Sequence, residues 1–161
     1  MLLIALMGCS EGQNPQSTEE NGVETREFQP EGMTCTYFEE EIHDNRFGGF
    51  IEANDDEKLP FGSLGALVAY IKENPDLDKD DPNIWVMDYN SGRNAVRLDD
   101  AYFFRTELIN SPCGLKMFAY SKDKDLEENF EVAYGGGKID WNEVEERVER
   151  GLEENWAARE E

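Results

Sequence analysis

The same order of predicted strands and helix occurs twice along this chain. Residues 46–62 contain two apolar runs around an Asn-Asp-Asp-Glu turn, which is typical of a β-hairpin. A helix is predicted over residues 63–74, with Ser63 as its N-cap and Pro75 beyond its end. Its apolar side chains recur with helical spacing: Leu64, Leu67, Val68 and Ile71. A buried strand over residues 84–89 completes the first set.

The second half of the chain shows a closely similar series. Residues 94–107 and 114–121 are predicted to be strands, and residues 124–137 a helix that ends in glycine. A short strand over 138–140 and an amphipathic helix over 141–160 close the chain. We therefore predict an α+β fold.

This repetition predicts two tandem ββαβ-like units with a C-terminal helix. At 161 residues and 39% hydrophobic content, the chain can bury one core, or two very small ones that share an interface, and we expect a single compact unit. We expect the folded domain to cover residues 33–161, with units of about 33–91 and 92–161. The boundary is expected near Ser91 and Gly92, where turn-forming residues cluster.

The amino terminus reads MLLIALMGCS and is similar to a bacterial lipoprotein signal, although no basic residue precedes its apolar run. This similarity implies that residues 1–9 form a signal ending at a lipidated Cys9. The alternative is a buried terminal strand that ends in cysteine. Residues 10–32 are poor in apolar side chains, so we predict a flexible tether. The expected location is the cell envelope, with a lipid anchor in the membrane and the domain facing the periplasm.

The charge of the chain excludes one class of partner. Fifteen Lys and Arg residues stand against 37 Asp and Glu residues, and the net charge is -22. Such a chain repels phosphate backbones, so we expect no nucleic-acid partner. His43 is the only histidine, and nothing marks a serine or cysteine as its nucleophilic partner. We therefore expect a protein that is not an enzyme.

The remaining chemistry is that of soft donors. Thiolate and thioether sulfurs favour Cu(I), and two short motifs place such atoms near each other, Met33-x-Cys35 and Cys113-x-x-x-Met117. His43 lies eight residues after Cys35 and is a candidate further donor. Buried methionines also fill gaps in cores, and two cysteines of an exported protein also form disulfides. Both interpretations stay open at this point.

Six blocks of the sequence, in order, resemble the NosL-type accessory lipoproteins of nitrous oxide reductase. The resemblance covers about residues 33–147 and is carried by these segments: CTYFEEEIHDNRF, FGSLGALVAYIKE, VMDY, DDAYFF, SPCG and YGGGKIDWNEV. It implies a periplasmic copper-binding protein with two ββαβ-like units. The implied partner is nitrous oxide reductase or another periplasmic copper client.

The chain departs from that family at the copper ligands. The family binds Cu(I) through a cysteine and two methionines, and their positions match here Phe38, Glu40 and Cys113. Cys35 matches the family's first cysteine. The rest of the motif matches three residues that we predict to be structural: Asp44, Arg46 and Phe47.

Three hypotheses follow. In the first, Cys35 and Cys113 hold Cu(I), with Met33 or Met117 and His43 as further donors. In the second, the same two cysteines form a disulfide that joins the units. In the third, the chain is a metal-free, divergent scaffold that serves as an interaction module.

Overall fold

Two antiparallel sheets make up the framework of the molecule. The computed structural model describes residues 17–20, 22–54 and 57–156. In the larger sheet, six strands lie in the order β1-β2-β6-β5-β3-β4. Their bounds are β1 Ser17–Glu20, β2 Val23–Glu27, β3 Gly49–Asn54, β4 Glu57–Phe61, β5 Ile84–Met87 and β6 Asn94–Arg97.

The smaller sheet has three strands in the order β8-β7-β9. Its strands are β7 Ala101–Arg105, β8 Met117–Ser121 and β9 Gly137–Ile139. The helices are α1 Leu64–Glu73, α2 Lys124–Tyr134 and α3 Trp141–Gly151. A wider π-helical turn, Leu152–Trp156, continues α3. None of the helices among the described residues has the length and apolar character needed to span a bilayer.

The two predicted units share one topology. Strand β3 pairs with β4 and β5 on its two sides, and helix α1 connects those flanking strands. Strand β7 likewise pairs with β8 and β9, which α2 connects. Since each flanking strand is antiparallel to the central one, the helix makes a crossover between two parallel strands. The predicted α+β fold of tandem ββαβ-like units with a C-terminal helix is confirmed.

Helix α1 forms where the sequence predicts it. Its N-cap, Ser63, accepts a hydrogen bond at 3.0 Å from the backbone N–H of Ala66, which satisfies one of the otherwise unpaired amides of the first turn. The helix is buried on more than one side. Its buried positions extend from Leu64 to Ala69 and include Ile71. Helix α1 therefore lies between the strands of its own unit and the second unit.

The main hydrophobic core draws on both units. It joins the inward side chains of the larger sheet to Met117 of β8 and to Val144 and Val148 of α3. A second cluster, on the opposite face of the smaller sheet, contains Phe104 and Phe118 and is covered by Phe130 of α2. Successive strand residues point to opposite faces, so the neighbours Phe103 and Phe104 contribute to different clusters.

The predicted tether is wrong for the residues that the structure describes. Strand β2 pairs with β6, and β1 pairs with β2, so this segment extends the larger sheet. The strand was hidden because its residues are mostly polar, yet Thr25 is buried and Phe28 packs on Phe50 with ring centroids 4.3 Å apart. The predicted signal and Cys9 lie outside the described residues.

The predicted boundary also needs correction. Residues 94–107 form two strands that belong to different sheets, separated by the 3-10 turn Leu98–Asp100. Strand β6 turns back at Ser91 and Gly92 to pair with β5, so it still belongs to the larger sheet. The chain passes to the smaller sheet only after Arg97.

Candidate functional site

A cavity of about 180 Å³ lies where the two units meet. The first unit contributes the loop before β3 and the start of α1, and the second unit contributes the turn before β8. The lining includes six residues used below: Cys35, Phe38, Glu40, His43, Ser63 and Cys113. The structure therefore brings together the two predicted cysteines, which are 78 positions apart in the sequence (113 minus 35). We call this space the thiol cavity.

Cys35 is held in place by the backbone around it. Its N–H donates to the carbonyl of Glu40 at 2.8 Å, and its own carbonyl accepts from the N–H of Glu39 at 2.9 Å. Cys35 is 4% exposed, and its Sγ accepts a hydrogen bond at 3.5 Å from the backbone N–H of Gly62. The loop thus fixes the sulfur against the chain segment that leads into α1.

Cys113 lies in a strained turn. It belongs to the 3-10 turn Pro112–Gly114 and has φ +68, in the left-handed region. A residue with a Cβ pays about 1–2 kcal/mol for that conformation. Strain of this kind is often kept at functional positions, because the surrounding fold must maintain it. The strained backbone therefore supports Cys113 as a candidate functional residue.

Ser63 connects Cys113 to helix α1. Its Oγ lies 3.3 Å from Cys113 Sγ, and either atom can donate in this contact. The sequence identified Ser63 only as a helix cap. The contact with a side chain 50 positions later depends on how the units dock, and no local pattern encodes it. Cys35 and Cys113 thus touch consecutive residues of one segment, Gly62 and Ser63.

The two cysteines are thiols in the structure and do not form a disulfide. His43 also lines the thiol cavity, but its side chain is 80% exposed and its Nδ1 lies 3.7 Å from Glu41 Oε1. Phe38, Glu40 and Cys113, the positions matched to copper ligands in the sequence, all face this space.

The two predicted methionine donors do not line the thiol cavity. Met117 is the first residue of β8 and is 1% exposed, because it packs in the main core. Met33 is 42% exposed on the surface, where its backbone bonds to Pro30 and Ile42. Proximity in sequence to a cysteine did not bring either thioether into the site.

Of the three residues predicted to be structural, Asp44 lines the thiol cavity, and Arg46 contacts both Asp44 and Phe47. Arg46 donates to both carboxylate oxygens of Asp44, at 2.7 Å from Nη2 and 3.0 Å from Nε. The guanidinium also lies over the rings of Phe47 and Tyr89, at 5.4 and 5.2 Å from their centroids. Such contacts hold the guanidinium in one orientation. They place Asp44 at the edge of the thiol cavity.

This ion pair makes the stability of the fold depend on pH. Burial alone would raise the pKa of Asp44, but the hydrogen bonds from Arg46 outweigh it and hold that pKa below its usual 3.8. A carboxyl with a lowered pKa stabilises the folded state above its unfolded pKa, and this contribution is lost as pH falls through the folded value. The Asp44 contribution is thus complete at neutral pH and disappears in acid.

We expect Asp44→Asn to lower the free energy of unfolding at neutral pH by about 1 kcal/mol, since the pair is partly exposed. Urea denaturation at a series of pH values measures the difference from the wild type. That difference should shrink as pH falls below 3.8. Asp76→Asn, in the exposed loop after α1, is the matched control. A difference that stays constant down to about pH 2 would contradict this account.

The donors at the cavity limit which metal could be held there. Across the described part of the chain, no group of three or more His, Cys, Asp or Glu side chains is arranged to hold a metal ion. Structural Zn²⁺ sites use about four such ligands. A pair of sulfurs instead suits a soft ion of low coordination number, such as Cu(I).

Comparisons of this chain with family models, curated proteins and solved structures found no match.

Proposed function

We propose that this protein binds Cu(I) as cargo in the thiol cavity, through the thiolates of Cys35 and Cys113. The observation that carries the proposal is that one sulfur from each unit reaches the same small cavity. Each sulfur is oriented by a neighbouring backbone or hydroxyl group, so the pair needs little ordering on binding. Thiolates are the protein donors with the strongest preference for Cu(I).

The resemblance to NosL-type proteins supports the same proposal. The positions that would carry that family's copper ligands converge on the thiol cavity, although two of them are Phe38 and Glu40. Replacement of those donors leaves Cys113 as the remaining sulfur of the ligand set and gives Cys35 a direct role. The proposed protein is thus a divergent member that holds copper with two thiolates.

The wider role belongs to the same proposal. A lipid at Cys9 would anchor the domain to the cell envelope, facing the periplasm, and the client would be nitrous oxide reductase or another copper protein. The chain would transfer an ion and catalyse no reaction. Two thiolates bind Cu(I) tightly, so release requires a client site that offers competing soft donors.

Titration of the full chain with Cu(I) tests the proposal. A Cys9→Ser background removes the third cysteine, and a chromophoric Cu(I) chelator serves as competitor under reducing conditions. We expect one Cu(I) per chain, with affinity lowered about 100-fold or more by Cys35→Ser or by Cys113→Ser. His43→Ala is expected to have a smaller effect, because the imidazole is largely in solvent.

Met33→Leu is the matched control and should bind Cu(I) like the parent protein, since Met33 lies outside the thiol cavity.

Two results would overturn the proposal. Undiminished binding by Cys113→Ser, with intact circular dichroism, would exclude the two-thiolate site. A count of no reactive thiols in the denatured, unreduced Cys9→Ser protein would show that the cysteines form the alternative disulfide.

A further inference from the structure

A second cavity, of about 230 Å³, lies on the other side of the turn that carries Cys113. Gly114 to Lys116 line it, whereas Pro112 and Cys113 line the thiol cavity. Four basic side chains converge here, and we call this space the basic cleft: Arg105, Lys116, Arg147 and Arg150.

The charge of the basic cleft is opposite to that of the chain. Its lining has those four cations and two carboxylates, Glu107 and Glu154. The chain as a whole carries 15 basic and 37 acidic residues. Three of the four cations are already paired with carboxylates: Arg105 and Lys116 with Glu107, and Arg147 with Glu143. Bringing four cations together costs repulsion energy, which these carboxylates offset in part and a further anion placed between the cations would offset more.

Two arginines of the basic cleft are not fully paired among the described residues. Arg105 Nε is buried and has no acceptor among the described residues. A buried guanidinium nitrogen without an acceptor is costly and rare, and often marks a missing water or ion. Arg150 is exposed and forms no ion pair with any described residue.

One carboxylate already occupies part of the basic cleft. Glu107 accepts from Lys116 Nζ at 2.6 Å and is paired with Arg105 as well. The hydrogen bond and charge of Lys116, with the charge of Arg105, hold the pKa of Glu107 below its usual value. Glu107 is therefore an anion already bound between these two cations, and it shows that they accept a carboxylate.

We propose that the basic cleft binds a small oxyanion with two or more negative charges, of the phosphate, sulfate or dicarboxylate type. Guanidinium forks match such oxygens in geometry, and several of them can share one anion. A large acidic partner is disfavoured because the net charge of -22 repels it over its whole surface. A small anion inside the basic cleft is governed by charges within a Debye length, about 8–10 Å.

Isothermal titration of the full chain with inorganic phosphate at low ionic strength tests this proposal. We expect saturable binding of phosphate. Arg150→Gln should weaken it about tenfold, because Arg150 has no ion pair with a described residue and the variant therefore loses only its contact with the anion. Glu107→Gln should strengthen binding severalfold, since it removes the competing carboxylate while keeping the size of the side chain. A variant that merely unfolds cannot produce such a gain.

The control is Arg93→Gln, which removes an exposed arginine that is paired with Glu27 in another region. Its phosphate affinity should equal that of the wild type. Sulfate and a dicarboxylate in parallel titrations distinguish the class of anion, and binding of any of them with the expected variant pattern supports the site. Equal affinity for phosphate in the wild type, Arg150→Gln and Glu107→Gln would overturn the proposal, as would binding of acidic peptides alone.

Discussion

Replacement of Gly136 by alanine is expected to lower the free energy of unfolding by about 3–5 kcal/mol. Gly136 has φ +91, a conformation that residues with a Cβ rarely adopt. A Cβ at this position would lie 2.0 Å from the carbonyl oxygen of Arg105 and 3.0 Å from Thr106 Cα. Both obstacles are backbone atoms of β7 and its end, so relief requires a shift of the smaller sheet.

The neighbouring glycine provides the control for this prediction. At Gly137, the first residue of β9, a Cβ would meet no atom within 4 Å. Gly137→Ala should therefore change stability by about 0.5 kcal/mol or less, or raise it slightly, because alanine restricts the unfolded chain. Urea denaturation of the two variants measures the contrast. Equal losses in the free energy of unfolding for the two variants would show that the close approach of residue 136 to β7 does not cause the destabilisation.

Tyr89→Ala is expected to destabilise the fold by a similar amount, about 3–5 kcal/mol. Tyr89 follows β5 in the first unit, but its ring packs on Phe118 of the second, with centroids 4.0 Å apart. Its backbone N–H donates to the carbonyl of Ala119 at 3.0 Å. Tyr89 is 8% exposed, so truncation leaves a cavity between the units.

Tyr89→Phe separates the ring from the hydroxyl. The hydroxyl accepts from Arg46 Nη1 at 3.5 Å, a long contact, and also bonds to the side chain of Tyr134, so its removal should cost about 1 kcal/mol. Thermal denaturation followed by calorimetry also reports cooperativity. We expect Tyr89→Ala to keep a single transition at lower temperature, because the main core still spans both units. A loss below about 1 kcal/mol for Tyr89→Ala would contradict the packing role assigned to this ring.

Much of the fold follows from local patterns that are strong on their own. Helix α1 has an N-cap at Ser63 and a Pro at residue 75, and residues 124–137 end in three glycines, so both helices could be predicted. Strand β2 could not, because its residues are mostly polar and Thr25 is the one that is buried. Its pairing with β6 is a long-range interaction, which cannot be predicted from the local sequence of a polar segment.

The candidate site was predictable to a smaller extent. The sequence indicated both cysteines, and the resemblance to NosL-type proteins implied that they would lie close if the two units face one another, but the sequence alone left their adjacency open. It did not show that Met117 points into the core, because the direction of a strand side chain depends on register. The basic cleft was also missed, since its cations come from β7, a turn and α3, which are separate in sequence.

The thiol cavity has a consequence for the folding of the protein. One thiol belongs to the segment before β3 and the other to the turn before β8, so the pair exists only when both units are folded and docked. A molecule in which only one unit has folded would present a single sulfur. Under the proposed function, tight capture of Cu(I) by two sulfurs would therefore be restricted to molecules that have folded completely.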